Sequence, residues 1–600
     1  MLIISLLVRI VSFEGQKVRI IFRNDHFNEF LLVNLYHKGT SMQVKESQIS
    51  LALLATCVGL ISAGIITLFR LAYELPLEHF LPSGDAEGFE SLSTQTRIIL
   101  ILSSTALLIF FFSRLRPEQR KVGVGHVLQR IEQHQGYLPK TNLIAQFFGA
   151  IIALIGGHSV GREGPAVHIG AGSASQFGQL LKTPHHRLRI LAACGVASAI
   201  SASFNTPMAG VIFAMEVVLL EYSIRGFIPI ILASVIGAIV SRAVFGNETA
   251  FIVPSLEMGS LLEIPYILLL ALICGVLGSL FIATVKFMQR WNVRPIWQTW
   301  GLLGMGTALV SIYLPEVMGI GYDSVNSWLQ GEVALGLALA LLLAKLLLSG
   351  WASATGFPGG LIGPSLFMGA AAGAMMGQMS SFFMPDYPVN LGFYAMLGMG
   401  AMMAAVLRAP LAALMALLEL TANPNIILPG MLAIVIASLT VSEVFNLPSI
   451  FRVQTKLAMN QSPVQQLLRN TWVGQVMSQS FTTSPRVIKI DSANILLSQQ
   501  SSWILLEQEN QLLATADLAH YIEGLALNNT EHQDIDCLLL PGDRKMVKSI
   551  TLMANLQNAL DMMQTHHIEW LTVHRDEQFN HVVGIISREM IEQYYRYKPA

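Results

Sequence analysis

Two short stretches of the 600-residue chain combine glycine, proline and charge in a way that suits ion chemistry. They are Gly161-Arg162-Glu163-Gly164-Pro165 and Gly360-Leu361-Ile362-Gly363-Pro364. In each, proline stands where a helix begins, because its missing N–H would have been unpaired there in any case. The glycines let backbone approach an ion closely. A helix start carries free N–H donors and a partial positive charge, so it holds an anion. Two such starts converging would hold one small anion between them. Glu163 falls in the first turn of one of them, so its carboxylate can itself fill the anion site and, once protonated, release it. The competing reading makes Arg162 and Glu163 a structural ion pair at a helix end.

The elements that must carry these loops are apolar. The chain is 53% hydrophobic and 12% charged, with mean hydropathy +0.55, where a soluble protein carries about 25% charged residues. The shortage of charge lies before residue 460, which predicts a polytopic membrane domain and a soluble tail. A span needs ~20 mainly apolar residues. The candidates are Leu51–Leu71, Ile98–Phe112, Leu143–Ile155, Met208–Leu220, Ile228–Val240, Ile267–Val285, Leu335–Leu348 and Ile426–Ser442. Several are short or broken by Gly and Pro, as in transporters whose irregular backbone lines a protected cavity. A charge at that depth costs ~2.5–3.5 kcal/mol or more on insertion scales, which marks Glu163 as functional. The net charge of −1 suggests no nucleic-acid partner, and Cys57, Cys194, Cys274 and Cys537 lie too far apart for a metal cluster or disulfide framework. The expected organisation is an N-terminal extension over residues 1–41 (a disordered cytoplasmic segment or a misassigned start), a membrane domain over 42–458, a linker over 459–471 and the tail over 472–600.

The two G-x-x-G-P loops belong to a longer repeat. Pro165 and Pro364 are 199 positions apart, and Gly157/Gly356, Gly170/Gly369, Ala171/Ala370 and Gly178/Gly377 keep that offset. Further on, Pro207/Pro410, Ala209/Ala412 and Glu216/Glu419 pair at an offset of 203. The reading is an internal duplication, roughly Leu51–Asn247 and Ile267–Phe451. Such halves in transporters are often inverted, with the substrate at their interface.

GREGP, the GGLIGP segment, FNTPMAG and RAPLAAL together resemble the chloride channel (CLC) family over about Leu51 to Leu457. The resemblance implies an all-α polytopic membrane domain with inverted-repeat halves and broken, tilted helices, followed by a small cytoplasmic α/β tail. It implies a homodimer in lipid, one pathway per subunit for chloride or a similar small anion, a bacterial-type inner membrane, and Glu163 as the gating glutamate. No catalytic residue, metal or cofactor is expected in the membrane domain. Pro165 and Pro364 are structural helix starters. The chain departs from the family pattern at three anion-site positions. Val124, in Gly123-Val124-Gly125-His126-Val127, stands where the family has a serine; Ile362 stands at a phenylalanine position; Phe451 matches a tyrosine. With both hydroxyls gone, anion coordination falls to backbone N–H groups around Gly125, Leu361 and Ile362, beside Arg162 and Gly164.

The fourth departure concerns protons. Coupled members carry an internal glutamate where this chain has Val217. Glu216 precedes it and points about 100° away on a helix, and its repeat mate Glu419 argues for a structural role. The expectation is therefore passive or weakly proton-coupled anion conduction, with a coupled H+/Cl− antiporter as the alternative should water bypass Val217.

His126, His158 and His168 read as helix-end polar contacts rather than a proton relay or metal site. Gly157-His158-Ser159-Val160-Gly161 fits the Gly-x-Ser-x-Gly elbow of serine hydrolases, so an intramembrane hydrolase is the rival of another class. In the tail, Arg486–Ile490, Trp503–Gln508, Trp570–His574 and Val582–Ser587 read as strands, and Leu556–Gln564 and Arg588–Tyr595 as helices. The tail resembles a degenerate tandem of CBS domains. Met590 replaces the usual ribose-binding aspartate of the second copy. Asp517 is the candidate contact for an adenine nucleotide in the first.

Overall fold

The computed structural model describes residues 48–597 apart from 83–85, 184, 223, 248–250, 252–257, 291–293, 384–389, 456–466, 469–470, 507–508, 528–533 and 576–580. The 1–41 extension and most of the 459–471 linker lie outside the described residues.

The membrane domain runs through the same order of helices twice. The first half has α1 (Gln48–Phe80), α2 (Thr94–Ser113), α3 (Gly123–His134), α4 (Lys140–Ile155), α5 (Glu163–Leu180), α6 (His185–Phe204), α7 (Pro207–Phe213) and α8 (Ile224–Phe245). The second has α9 (Ile264–Gln289), α10 (Ile296–Tyr313), α11 (Tyr322–Leu329), α12 (Leu335–Ala354), α13 (Ile362–Phe383), α14 (Leu391–Leu407), α15 (Pro410–Thr421) and α16 (Ile427–Leu439). A short α17 (Ile450–Thr455) follows. Both α7 and α16 end in wide π turns, Ala214–Leu219 and Thr440–Val444.

The halves meet through symmetric contacts. Gly161 and Gly360, equivalent in the repeat, form an antiparallel bridge in which each N–H donates to the other's carbonyl, at 2.8 and 2.6 Å. Glu216 accepts from Leu411 N and Ala412 N at the start of α15, at 3.3 and 2.7 Å. Its mate Glu419 accepts from Met208 N and Ala209 N at the start of α7, at 2.9 and 2.8 Å. Each glutamate thus caps the helix of the opposite half, whose first N–H groups have no partner within their own helix.

Seven helices among the described residues are long and apolar enough to cross a bilayer. Six extend spans expected from sequence. The seventh, Arg187–Phe204, was not expected. It lies mostly inside the protein and is rich in Ala, Gly and Ser, so its mean hydropathy, 1.3, is the lowest of the seven. Two expected spans, Leu143–Ile155 and Met208–Leu220, fall in short helices instead. Large apolar side chains face outward in helical stripes, such as Ile228, Leu232, Val235 and Ile239 on α8 and Leu269, Leu272, Val276 and Leu280 on α9. In water such stripes would need covering; in a membrane, apolar surroundings can solvate them. Inside, α5 presses on α6 and α13 on α14 at glycines: a Cβ on Gly170 would strike Gly195 O, and one on Gly369 would strike Gly398 O.

The tail holds a six-stranded sheet in the order β1-β3-β4-β6-β7-β8 and a two-stranded one, β2-β5. The strands are β1 (Phe481–Ser484), β2 (Val487–Ile488), β3 (Trp503–Leu506), β4 (Gln511–Ala514), β5 (Ile535–Asp536), β6 (Lys545–Thr551), β7 (Trp570–His574) and β8 (Val582–Ser587). The helices are α18 (Ile490–Ser498), α19 (Thr515–Leu527), α20 (Leu556–His566) and α21 (Arg588–Tyr597). The sheet contains one unit twice. β1 pairs parallel with β3 and β3 antiparallel with β4, which leads to α19; β6 pairs parallel with β7 and β7 antiparallel with β8, which leads to α21. The expected strand over Arg486–Ile490 shrinks to β2, because Ile490 already opens α18. Outside the membrane domain, the bidentate contact of Arg486 with Asp536, at 2.9–3.1 Å, holds that carboxyl below the usual range.

The backbone bridge predicts a strict size limit. A Cβ on Gly360 would stand 2.6 Å from Gly164 N and 2.9 Å from Gly161 O. Gly360→Ala should lower stability by at least ~1–3 kcal/mol, the range for overpacking. Gly301→Ala, at a helical glycine with open space around it, should be neutral or slightly stabilising. Thermal unfolding of the two variants in detergent distinguishes them.

Candidate functional site

Glu163 is the first residue of α5, and its side chain is buried to 3% exposure. The carboxylate does not pair with its neighbour Arg162. It crosses to the other half and accepts from Gly363 N, at 3.1 Å, in the first turn of α13. The other oxygen accepts from the Tyr322 hydroxyl at 2.8 Å. An acidic side chain therefore occupies a helix start, where the dipole and unpaired N–H groups favour negative charge. A Cβ on Gly161 would collide with Glu163 Oε2, and one on Gly363 would lie 2.9 Å from Oε1. The glycines of both loops are thus what make room for the carboxylate.

Arg162 goes the other way. Its guanidinium donates to Glu74 Oε1 and to the Tyr73 hydroxyl, both at 2.9 Å, and Arg70 bonds the same Glu74 oxygen at 3.1 Å. Arg162 also lies over the rings of Phe204 and Tyr322, at 4.9 and 5.5 Å. It was expected among the anion-coordinating groups; here its guanidinium is engaged by Tyr73 and Glu74 of α1. These residues line a cavity of about 450 Å³ that also includes Glu87, Asn205, Phe245, Asp323 and Asn326. Glu87, in the loop after α1, accepts from Tyr322 N at 2.5 Å. Desolvation by the surrounding protein pushes its carboxyl up to about 7, against the opposing pull of Arg162.

The loop before α3 approaches from the first half. Val124 is buried, and the preceding N–H of Gly123 is already used by Gln146 Oε1 at 2.6 Å and His168 Nδ1 at 3.1 Å. A Cβ on Gly125 would stand 3.1–3.2 Å from Gln454 and Thr455 of α17. That close approach brings the helix bearing the buried Phe451 onto α3. Leu361 and Ile362 are buried at the start of α13, Ile362 as its first residue. Gly164 is a packing residue: its Cβ would stand 2.8 Å from Gly360 Cα. Pro165 and Pro364 both fall in the first turns of their helices.

Sequence reasoning missed Gly363 and Tyr322 as the donors on Glu163. Gly363 is the second glycine of its loop, but attention went to Leu361 and Ile362. Tyr322 is paired with Val124 only by the structure: it lies 198 positions on, one short of the sequence offset, and Gly123 and Gly321 just before them share φ of +85° and +86°.

Val217 is buried in the π turn that ends α7, and Glu216 is tied to α15. The histidines separate into two places. His126 and His168 meet at 3.4 Å, whereas His158 contacts Ser104 and Thr105 at 3.1 and 3.3 Å. No group of three His, Cys, Asp or Glu among the described residues could hold a metal. The hydrolase motif falls away on geometry. Ser159 follows helix α4 rather than a strand, and its hydroxyl lies 3.3 Å from that of Ser349. In the tail, Asp517 sits in the first turn of α19 with its carboxylate against Gly542.

Residues 99–442 match the family model described as voltage gated chloride channel. Among curated relatives, the H(+)/Cl(−) exchange transporter ClcA of Vibrio vulnificus is 29% identical over 397 residues, covering 64% of this chain and 84% of the relative. ClcA of Yersinia pestis, with the same description, is 31% identical over 337 residues, covering 53% of this chain and 69% of the relative. Among solved structures, a eukaryotic CLC transporter superposes with TM-score 0.59 at 19% identity, covering 90% of this chain and 98% of that one.

The reciprocal caps carry their own prediction. Glu216→Ala should leave two N–H groups of α15 without their acceptor and cost ~1–2 kcal/mol, the upper part of the range for a lost helix cap. Glu419→Ala should cost a similar amount through α7. Denaturation in detergent, with Glu221→Ala as an exposed control, measures both.

Proposed function

Because the chain belongs to the voltage-gated chloride channel family, we propose that it exchanges chloride or a similar small anion for protons, with Glu163 as the gate. The observation that carries this reading is the Glu163 carboxylate seated on the start of a helix of the opposite half. There it fills the place of an anion. Protonation removes the charge that the helix start attracts, and the anion takes over the donors. One titratable side chain thereby serves both substrates, which is the minimum that coupling requires.

Sequence alone favoured passive or weakly coupled conduction, because Val217 cannot relay a proton. The comparisons weigh toward the coupled alternative: the similar curated proteins carry the name of H(+)/Cl(−) exchange transporters. Glu216 does not substitute for the missing station, since both its oxygens are held by the α15 backbone. Proton entry from the inner side then relies on water around Val217. The working form is a homodimer in a bacterial-type inner membrane, with the tail in the cytoplasm. The doubled β-α-β-β-α order supports the tandem CBS reading, and Asp517 turned onto Gly542 favours a scaffold over an adenine-nucleotide sensor.

The test is the reversal potential of purified protein in a bilayer under a chloride gradient, with a pH gradient then added. Coupled exchange shifts the potential with pH at a fixed anion-to-proton ratio; a value that stays at the chloride Nernst potential overturns coupling. Glu163→Gln, which mimics the protonated gate, should abolish the shift and make anion flux nearly insensitive to pH. A normal pH response in that folded variant removes Glu163 from the role of gate.

A further inference from the structure

Tyr322 stands where the repeat places the counterpart of Val124. Each follows a glycine in the left-handed region and falls at the start of a short helix, α3 in one half and α11 in the other. On the first-half side the position carries no hydroxyl, and neither does Phe451. On the second-half side a hydroxyl is present, and it points at the gate.

The Tyr322 side chain is fixed from several directions. Its backbone N–H is held by Glu87, its ring packs 4.8 Å from that of Phe251, and it is buried to 6% exposure. The preceding Gly321 has φ +86°, and a Cβ there would stand 2.7 Å from the Phe367 ring. Lys345, fully buried on α12, donates to Gly319 O at 2.7 Å and so pins the same loop. A hydroxyl held this rigidly points to one spot. In the closed state that spot holds Glu163 Oε1, while Gly363 N serves Oε2. When the carboxylate leaves, two buried donors aimed at one place lose their acceptor, a costly condition unless another acceptor enters.

We propose that the Tyr322 hydroxyl is a shared donor, bonding the Glu163 carboxylate when the gate is closed and the transported anion when it is open. Resting on the reading of Glu163 as gate, this assigns Tyr322 a direct part in anion binding at the outer end of the pathway. The charged groups around the pair are Arg162, engaged by Glu74, Tyr73 and through them Arg70; Glu87 and Asp323 beside Tyr322; and Lys345 beneath the loop. All stay unchanged when only the hydroxyl is altered. The closed gate rests on two donors, the Tyr322 hydroxyl and Gly363 N, so without the hydroxyl it is held less firmly and opens at higher pH.

The experiment alters that hydroxyl alone. Tyr322→Phe should move the pH of half-maximal anion flux up by about one unit, the scale of one charge-assisted hydrogen bond. Fluorotyrosine incorporated at position 322, a stronger donor, should move it down. In protein carrying Glu163→Gln, adding Tyr322→Phe should weaken chloride binding roughly ten-fold by titration calorimetry. A merely structural ring would not produce opposite shifts from the two replacements. The proposal is overturned if the half-maximal pH stays put in both replacements, or if chloride binds the single and double variants equally. Should Tyr322→Phe fail to fold, the fluorotyrosine protein decides alone by the direction of its shift. Failure of the gate itself is separate, since it appears as a normal pH response in Glu163→Gln.

Discussion

The site around Glu163 depends on one backbone contact, the mutual hydrogen bonds between Gly161 and Gly360. It fixes two loops back to back, and each loop opens a helix, α5 or α13. With the loops joined, the first turn of α13 comes within reach of a side chain from the first turn of α5. Glu163 then reaches across to accept from Gly363 N of the other half. Room for the contact comes from the absence of side chains at Gly161, Gly164, Gly360 and Gly363. The glycines of the two motifs therefore do more than permit a turn: they set how closely the two halves approach.

The second constraint is electrostatic division of labour. Arg162 and Glu163 are adjacent in sequence, yet the arginine is committed to Glu74 and Tyr73 while the glutamate is committed to the other half. Had the two paired with each other, neutralising Glu163 would have stranded a buried cation. With Arg162 satisfied elsewhere, Glu163 can change charge without disturbing the wall of the cavity.

Much of this was legible in sequence because it rests on residue types with few alternatives. A Gly-x-x-Gly-Pro pair at a constant offset announces two helix starts, and matched glutamates announce symmetric roles. What sequence did not disclose has physical causes too. Helix α6 is buried inside the domain, where small residues permit close packing, so it lacks the leucine-rich signal of a lipid-facing span. The donors on Glu163 depend on how far one loop slides past another, and a linear pattern does not carry that; attention fell on Leu361 and Ile362, one residue short of Gly363. Tyr322 looked like an ordinary aromatic residue until the structure paired it with Val124. In the tail, β7, β8, α20 and α21 were readable from their alternation, whereas β1 and β6 carry too many polar residues to stand out.

The crossed glutamate caps also bear on how the chain is made. Met208 N waits for Glu419, 211 residues further along. At synthesis rates of ~5–20 residues per second, the first half spends roughly 10–40 seconds in or near the bilayer with that helix end incomplete. During that interval its N–H groups need water, lipid headgroups or the insertion machinery as stand-ins. Completion of the first half's helix end is therefore an event of the second half's arrival.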